Sequence, residues 1–196
     1  MLNDRLPPFV RENYFCGEWH HASAVMAGDH PNEWSDLMNA LSIFRLKKSY
    51  IAAGGGRKTK LADDFDTLFM SKGWKEKKFD TRVAVDDQEY DTPTHKIDMY
   101  KNGVAIELEW NNKTEFYDRD LNNFRLLYHL RTVNVGVVVT RADELQEIFN
   151  DLGRGSSYGP STTILSKLVA KVEGGGAGGC PVLTFGIRKS LYRENE

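Results

Sequence analysis

Two cysteines, Cys16 and Cys180, are all the thiol chemistry in this chain. They stand too far apart for a metal-binding pair and are too few for a disulfide framework, so a reduced, cytoplasmic setting is the expectation. Long apolar runs are missing too. No stretch approaches the roughly 20 residues that cross a bilayer, and the first residues, Met-Leu-Asn-Asp-Arg-Leu-Pro-Pro, hold no apolar signal core. No membrane partner is expected. A charge excess is also absent: 26 Lys and Arg against 28 Asp and Glu give a net charge of −2. That balance neither announces nor forbids a nucleic-acid binder, because steering depends on local patches. Nor is a nucleotide-phosphate loop complete. Ala52-Ala53-Gly54-Gly55-Gly56 is surrounded by Arg45, Lys47, Lys48, Arg57, Lys58 and Lys60, but Arg57 interrupts the required Gly-Lys-Thr ending. This segment reads as a basic stretch near a DNA backbone, with Lys58 as a candidate contact, or as a solvated linker. His20, His21 and His30 lack a convincing ligand set.

What is present is ordinary in bulk and specific in one place. At 196 residues, 40% hydrophobic and 28% charged, the chain suits one domain with a real core. Residues 94–113 organise it. Asn102-Gly103 is a hairpin signal, because both turn positions need a positive φ. Ile97 and Met99 lead in, and Val104, Ile106, Leu108 and Trp110 lead out, as one apolar face. The other face is chemical. With that turn, Asp98 falls opposite Glu107, their Cβ atoms roughly 5 Å apart, and Glu109 lies two residues further on. Like charges so placed repel unless a proton or a cation intervenes. Three carboxylates on one strand face form a candidate site for a hard divalent ion such as Mg²⁺. Scattered acids on a solvated sheet face are the competing explanation. Trp110-Asn111-Asn112-Lys113 follows, a run able to hydrogen-bond bases and phosphates.

Around this hairpin the pattern predicts helices over 33–44, 60–72, 117–131, 142–152 and 164–172, and strands near 82–85, 133–140 and 182–187. Residues 1–32 read as irregular. Asp118 is the expected cap of the 117–131 helix, with Leu121, Phe124, Leu127 and Tyr128 as its apolar stripe and Arg119, Asp120, Asn122, Asn123 and Arg125 covering the rest. The small-residue loop 153–163 offers Ser156, Ser157, Ser161, Thr162 and Thr163 to bases or phosphates, and Lys167 and Lys171 lie on a face able to meet phosphates. Gly174 to Gly179 does not lead into a helix, which argues against a dinucleotide fingerprint.

Asp98 followed by Glu107-Leu108-Glu109 resembles the PD-(D/E)XK nuclease motif. The wider segment is similar to the BglII/BstYI-type restriction endonucleases, through Lys96-Ile97-Asp98, the Glu107/Glu109 pair, Asn111-Asn112-Lys113, Gly73-Trp74-Lys75 and Cys180-Pro181-Val182-Leu183. Glu109 stands where many such enzymes have Lys. The resemblance implies an α/β fold: a mixed central β-sheet with a catalytic hairpin, flanked by helices, as a single restriction-endonuclease-like domain over 1–196. It implies a type II site-specific deoxyribonuclease that cuts double-stranded DNA at a short palindrome, leaving a 5′-phosphate and a 3′-hydroxyl. Asp98 and Glu107 would bind Mg²⁺ (Mn²⁺ as a substitute), with Glu76 as a further ligand. Glu109 would help to position or activate the attacking water, or complete a second metal site. Asn111 and Asn112 would help to read a GATC core, beside Lys113, and two sites would come from a homodimer. Two alternatives stay open at this point. One is a DNA-binding, nicking or repair protein on the same fold. The other is a metal-binding or interaction domain that never meets nucleic acid.

Overall fold

The ladder that organises the chain starts from its most polar turn. Asn102 and Gly103 take φ of +46° and +86°, which closes a two-residue hairpin and pairs Met99 with Ile106, the register the sequence predicts. A computed structural model describes residues 1–52, 59–92 and 94–195. Its strands are β1 (Tyr14–Trp19), β2 (Leu46–Lys47), β3 (Lys75–Lys77), β4 (Thr81–Val85), β5 (Gln88–Thr92), β6 (Ile97–Lys101), β7 (Val104–Glu109), β8 (Val135–Arg141), β9 (Val182–Ile187) and β10 (Tyr192–Arg193). Its helices are α1 (Leu2–Arg5), α2 (Pro8–Asn13), α3 (Ala22–Asp29), α4 (Pro31–Ile43), α5 (Lys48–Ala52), α6 (Lys60–Met70), α7 (Glu115–His129), α8 (Leu145–Asp151) and α9 (Leu165–Glu173).

The main sheet runs β1-β9-β8-β7-β6-β3. Its centre, β9-β8-β7, is parallel, and both flanks are antiparallel. Parallel neighbours need long crossovers: α7 connects β7 to β8, and α8 with α9 connects β8 to β9. Helices cover both faces, so every residue of β7, β8 and β9 is buried. One face packs Val104, Ile106, Val137 and Phe185 against α4 and α6 in the larger core. The other packs Ala105 and Val138 against Tyr117, Leu121 and Phe124 of α7 and Leu168 of α9. Gly136 sets how closely α7 approaches. A Cβ there would lie 2.3 Å from Phe124 Cδ2, so only glycine leaves room for the ring. The fold class is therefore the expected mixed α/β one. No helix among the described residues is long and apolar enough to cross a membrane.

Several local expectations need correction. Residues 1–32 are not irregular: they form α1, α2, α3 and edge strand β1. Pro8 and Pro31 start helices rather than breaking them, because a first helical position needs no N–H donor. The strand near 82–85 has a partner, β5, in a small separate hairpin. Helix α7 begins at Glu115, after Thr114, and Asp118 does not cap it; its carboxylate lies 2.6 Å from Lys171 Nζ. Asp120 and Asn123 do not cover the outside of α7. Both are buried, at 0% and 3% exposure.

Candidate active site

A bulge shapes the acidic end of the hairpin. Strand β3 pairs Lys75 with Tyr100 and Lys77 with Ile97, three steps on β6 against two on β3, so β6 carries one extra residue. That residue reverses the alternation. Met99 enters the larger core, but Ile97 enters the core beneath α7, not the shared face its spacing predicts. The β6–β7 register ends at Met99–Ile106, and beyond it carboxylates take over the hydrogen bonds. The Asp98 N–H donates to Glu107 Oε2 at 3.2 Å, and the Leu108 N–H donates to Asp98 Oδ2 at 3.0 Å. Each acid is thus fixed by the other strand's backbone.

Glu107 and Glu109 are buried, at 1% and 2% exposure. Asp120 reaches them from α7. Burial, then the charge of Asp120, raises the Asp98 carboxyl above its ordinary range. Burial, with Asp120 and Asp98, raises Glu107 well above it, and burial with Asp120 raises Glu109 in the same direction. Glu109 accepts from Asn112 Nδ2 at 2.7 Å and stands 3.4 Å from Arg119 Nη2. Glu107 Oε1 and Asp120 Oδ2 are buried without a hydrogen-bond partner. Concentrated acids, raised carboxyls and orphaned oxygens are what a missing positive charge leaves behind. The residues fit a divalent cation.

Asp98 and Glu109 border a cleft of about 690 Å³, lined also by His95, Asn112, Phe116 and Arg119, among others. Glu76 also borders it. It stands on edge strand β3, exposed, with its carboxylate 2.8 Å from Lys96 Nζ, and is not gathered with the buried acids.

The remaining candidates separate into surface and support. Loop 153–163 docks on the segment after β7, with Lys113 bridged to Thr162 and the Thr114 N–H donating to Ser161 O at 3.0 Å. Two segments some fifty residues apart in sequence thus form one surface beside the cleft. Lys113, Ser156, Ser157 and Ser161 are exposed there, and half-buried Asn111, with φ of +59°, has no partner for its Oδ1. Thr163 belongs to the support. It is 0% exposed, and its Oγ1 accepts the Asn112 N–H at 3.2 Å. Thr162 accepts from buried Arg141 at 2.8 Å. Lys167 is no free phosphate contact, since its ammonium donates to the carbonyls of Pro160 and Thr162. Lys171 is tied to Asp118. Lys58 and the glycines before it lie outside the described residues.

Against this geometry, a family model described as restriction endonuclease BglII/BglIII matches residues 14–187. The chain belongs to that family. The match spans nearly all of the main sheet and both cores, and it makes the protein a restriction endonuclease, hence a nuclease acting on double-stranded DNA. It argues against the alternative of a domain that never meets nucleic acid. No curated protein matches the chain.

His95 and Asp120 were missed in the sequence pattern. His95 stands just before β6 with Nε2 3.0 Å from Asp120 Oδ1 and 3.5 Å from Glu107 Oε1. A signal for Asp120 existed: it lies three residues after Tyr117 and four before Phe124, on the face they bury.

Proposed function

We propose that this chain is a Mg²⁺-dependent type II site-specific deoxyribonuclease that cuts double-stranded DNA at a short palindrome with a GATC core, as one domain over 1–196. The observation that carries the reading is the set of carboxyls formed by buried Glu107 and Glu109 and half-buried Asp98, with Asp98 and Glu109 lining the cleft, in a chain of this family. Asp98 and Glu107 hold the ion, and Mn²⁺ substitutes for it. The bound ion supplies Lewis acidity, lowering the pKa of a water and offsetting charge at the scissile phosphate.

The protein's own residues do the rest. The backbone N–H groups of Leu108 and Asp98 hold the two ligands in place before substrate arrives, so little reorganisation is needed at reaction. Glu109 occupies the position where related enzymes have Lys. Held by Asn112 and facing Arg119, it orients the attacking water. The half-exposed Arg119 guanidinium at the cleft meets phosphate charge. Glu76, tied to Lys96 at the rim, is not needed as a ligand.

Asn111, Lys113, Ser156, Ser157 and Ser161 form the DNA-facing surface. Asn111 reads a base edge with its side-chain amide, and Lys113 meets phosphate. Thr162, Thr163 and Asn112 support that surface. One chain carries one such site, so cutting both strands of a palindrome takes a two-fold homodimer.

Digestion of unmethylated plasmid and phage DNA with and without Mg²⁺, beside an Asp98→Asn protein, tests this. Discrete Mg²⁺-dependent fragments with GATC-containing ends, absent with the variant, are expected. Intact DNA from folded wild-type protein under all conditions would overturn the reading.

A further inference from the structure

We propose that His95, Glu107 and Asp120 form a second divalent-metal site, suited to transition ions, that shares the Glu107 carboxylate with the Asp98 site. One donor atom from each of the three lies within 4.8 Å of the others. Asp98 and Glu109 are not part of this grouping, which is the tightest ligand set among the described residues. The two His95 distances, 3.0 and 3.5 Å, match the separation of neighbouring ligands that each stand ~2.1 Å from a common ion.

The second observation is burial. Asp120 is 0% and Glu107 1% exposed, yet Asp120 Oδ2 and Glu107 Oε1 are buried without a hydrogen-bond partner, and His95 Nε2 faces a carboxylate oxygen of each residue. A buried polar atom in that condition has lost its hydration with nothing in return, and a charged one has lost more. Glu107 Oε1 and Asp120 Oδ1 stand 3.5 and 3.0 Å from His95 Nε2, the spacing of a ligand set rather than of a closed hydrogen-bonded core. Arg119 stands 3.0 Å from Asp120 Oδ1 and offsets part of the charge, but it leaves Oδ2 unpartnered.

The donors select the ion. One imidazole nitrogen with two carboxylates suits borderline Zn²⁺ and is within reach of Mn²⁺, a hard ion that tolerates nitrogen better than Mg²⁺ does. His95 lines the cleft and gives the ion an entry. Glu107 divides its oxygens: Oε2 faces the Asp98 N–H and Oε1 faces His95. The carboxylate therefore lies between the two sites. The inference rests on the proposed nuclease reading only for the Asp98 side of that carboxylate; His95 and Asp120 stand apart from it.

The test uses the full chain and Mn²⁺ alone, without DNA. Equilibrium dialysis counts bound ions, and spin-echo EPR detects imidazole nitrogen on them. Wild type is expected to bind two Mn²⁺ per chain, one with nitrogen coupling. His95→Ala should lose one ion and the coupling, and His95→Gln should do the same while keeping a polar side chain. Both changes fall at a partly exposed position, so folding is retained. Asp98→Ala should lose only the ion without nitrogen. If Asp98→Ala keeps both ions, the nuclease reading fails and the His95 site stands. No nitrogen coupling in wild type, or coupling and stoichiometry unchanged in His95→Ala, would overturn the second site; a single nitrogen-coupled ion, lost in His95→Ala, would keep it and count against the Asp98 site.

Discussion

The two faces of β7 are equally buried and differently made. On one, Val104, Ile106 and Leu108 join the larger core. On the other, Ala105 joins the core beneath α7, and Glu107 and Glu109 lie beside Asp120. Equal burial has opposite consequences. The apolar face gains from leaving water, at about 25 cal/mol per Å². The acidic face loses, because charge is displaced from water and only partly compensated. One strand thus uses the stability of one face to hold strained chemistry on the other.

Removing a charge from the acidic face breaks that comparison most sharply. In Glu107→Gln the isosteric amide removes a buried carboxylate that faces Asp98 and Asp120. Several kcal/mol of charge stabilisation in the transition state depend on such a ligand, so cleavage should fall by about 10³-fold or more. The urea midpoint should stay level or rise. A plasmid-cleavage time course beside a urea melt checks both. Near-wild-type cleavage, or a large stability loss, would show that the two faces play the same role.

Cutting the apolar face should do the reverse. Ile106→Ala removes most of a side chain that is 1% exposed, which costs about 2–5 kcal/mol through lost burial and the cavity left behind. Cleavage per folded molecule at low temperature should remain within a few-fold of wild type. A cleavage loss as large as that of Glu107→Gln, in protein shown to be folded, would mean that the apolar face also sets the geometry of the acids.

Much of this contrast was legible before any coordinates. Asn102-Gly103 fixed the turn, and the alternation from Val104 to Glu109 separated apolar from acidic positions. Two things were not legible, for physical reasons. The bulge at Ile97–Tyr100 depends on pairing with β3, a distant edge strand with no pattern of its own, so Ile97 was placed on the wrong face. The burial of Asp120 depends on which side of α7 meets the sheet. Helical period alone puts Asp120 within the stripe, but its charge argues for water. Polar residues that break the rule of burial are where a sequence pattern misleads, and here they cluster at the candidate site. The strand at β1 was hidden for a related reason: it is held by β9, not by local propensity.

The smallest expected effect tests the same contrast through protons. Asp98, Glu107 and Glu109 are all held above their ordinary range, chiefly by burial. Between the ordinary carboxylate range and those raised values, the folded state binds more protons than the unfolded one. Stability then falls as pH rises through the window, and the contribution is fully present only below the unfolded pKa. Glu18 and Asp36 are held below their ordinary range, so they act at lower pH and leave the window above pH ~5 to the acidic face. In EDTA the unfolding free energy from urea melts should therefore be lower at pH ~8 than at pH ~5.5, by on the order of 1 kcal/mol or more. Added Mg²⁺ should flatten the slope, because a bound cation replaces the protons. Glu107→Gln should reduce it without metal, and Glu107→Gln with Glu109→Gln should reduce it further, while Ile106→Ala should keep the wild-type slope at a lower midpoint. A slope unchanged in the double variant would place its origin away from β7, and the difference between the two faces would then lie in packing alone.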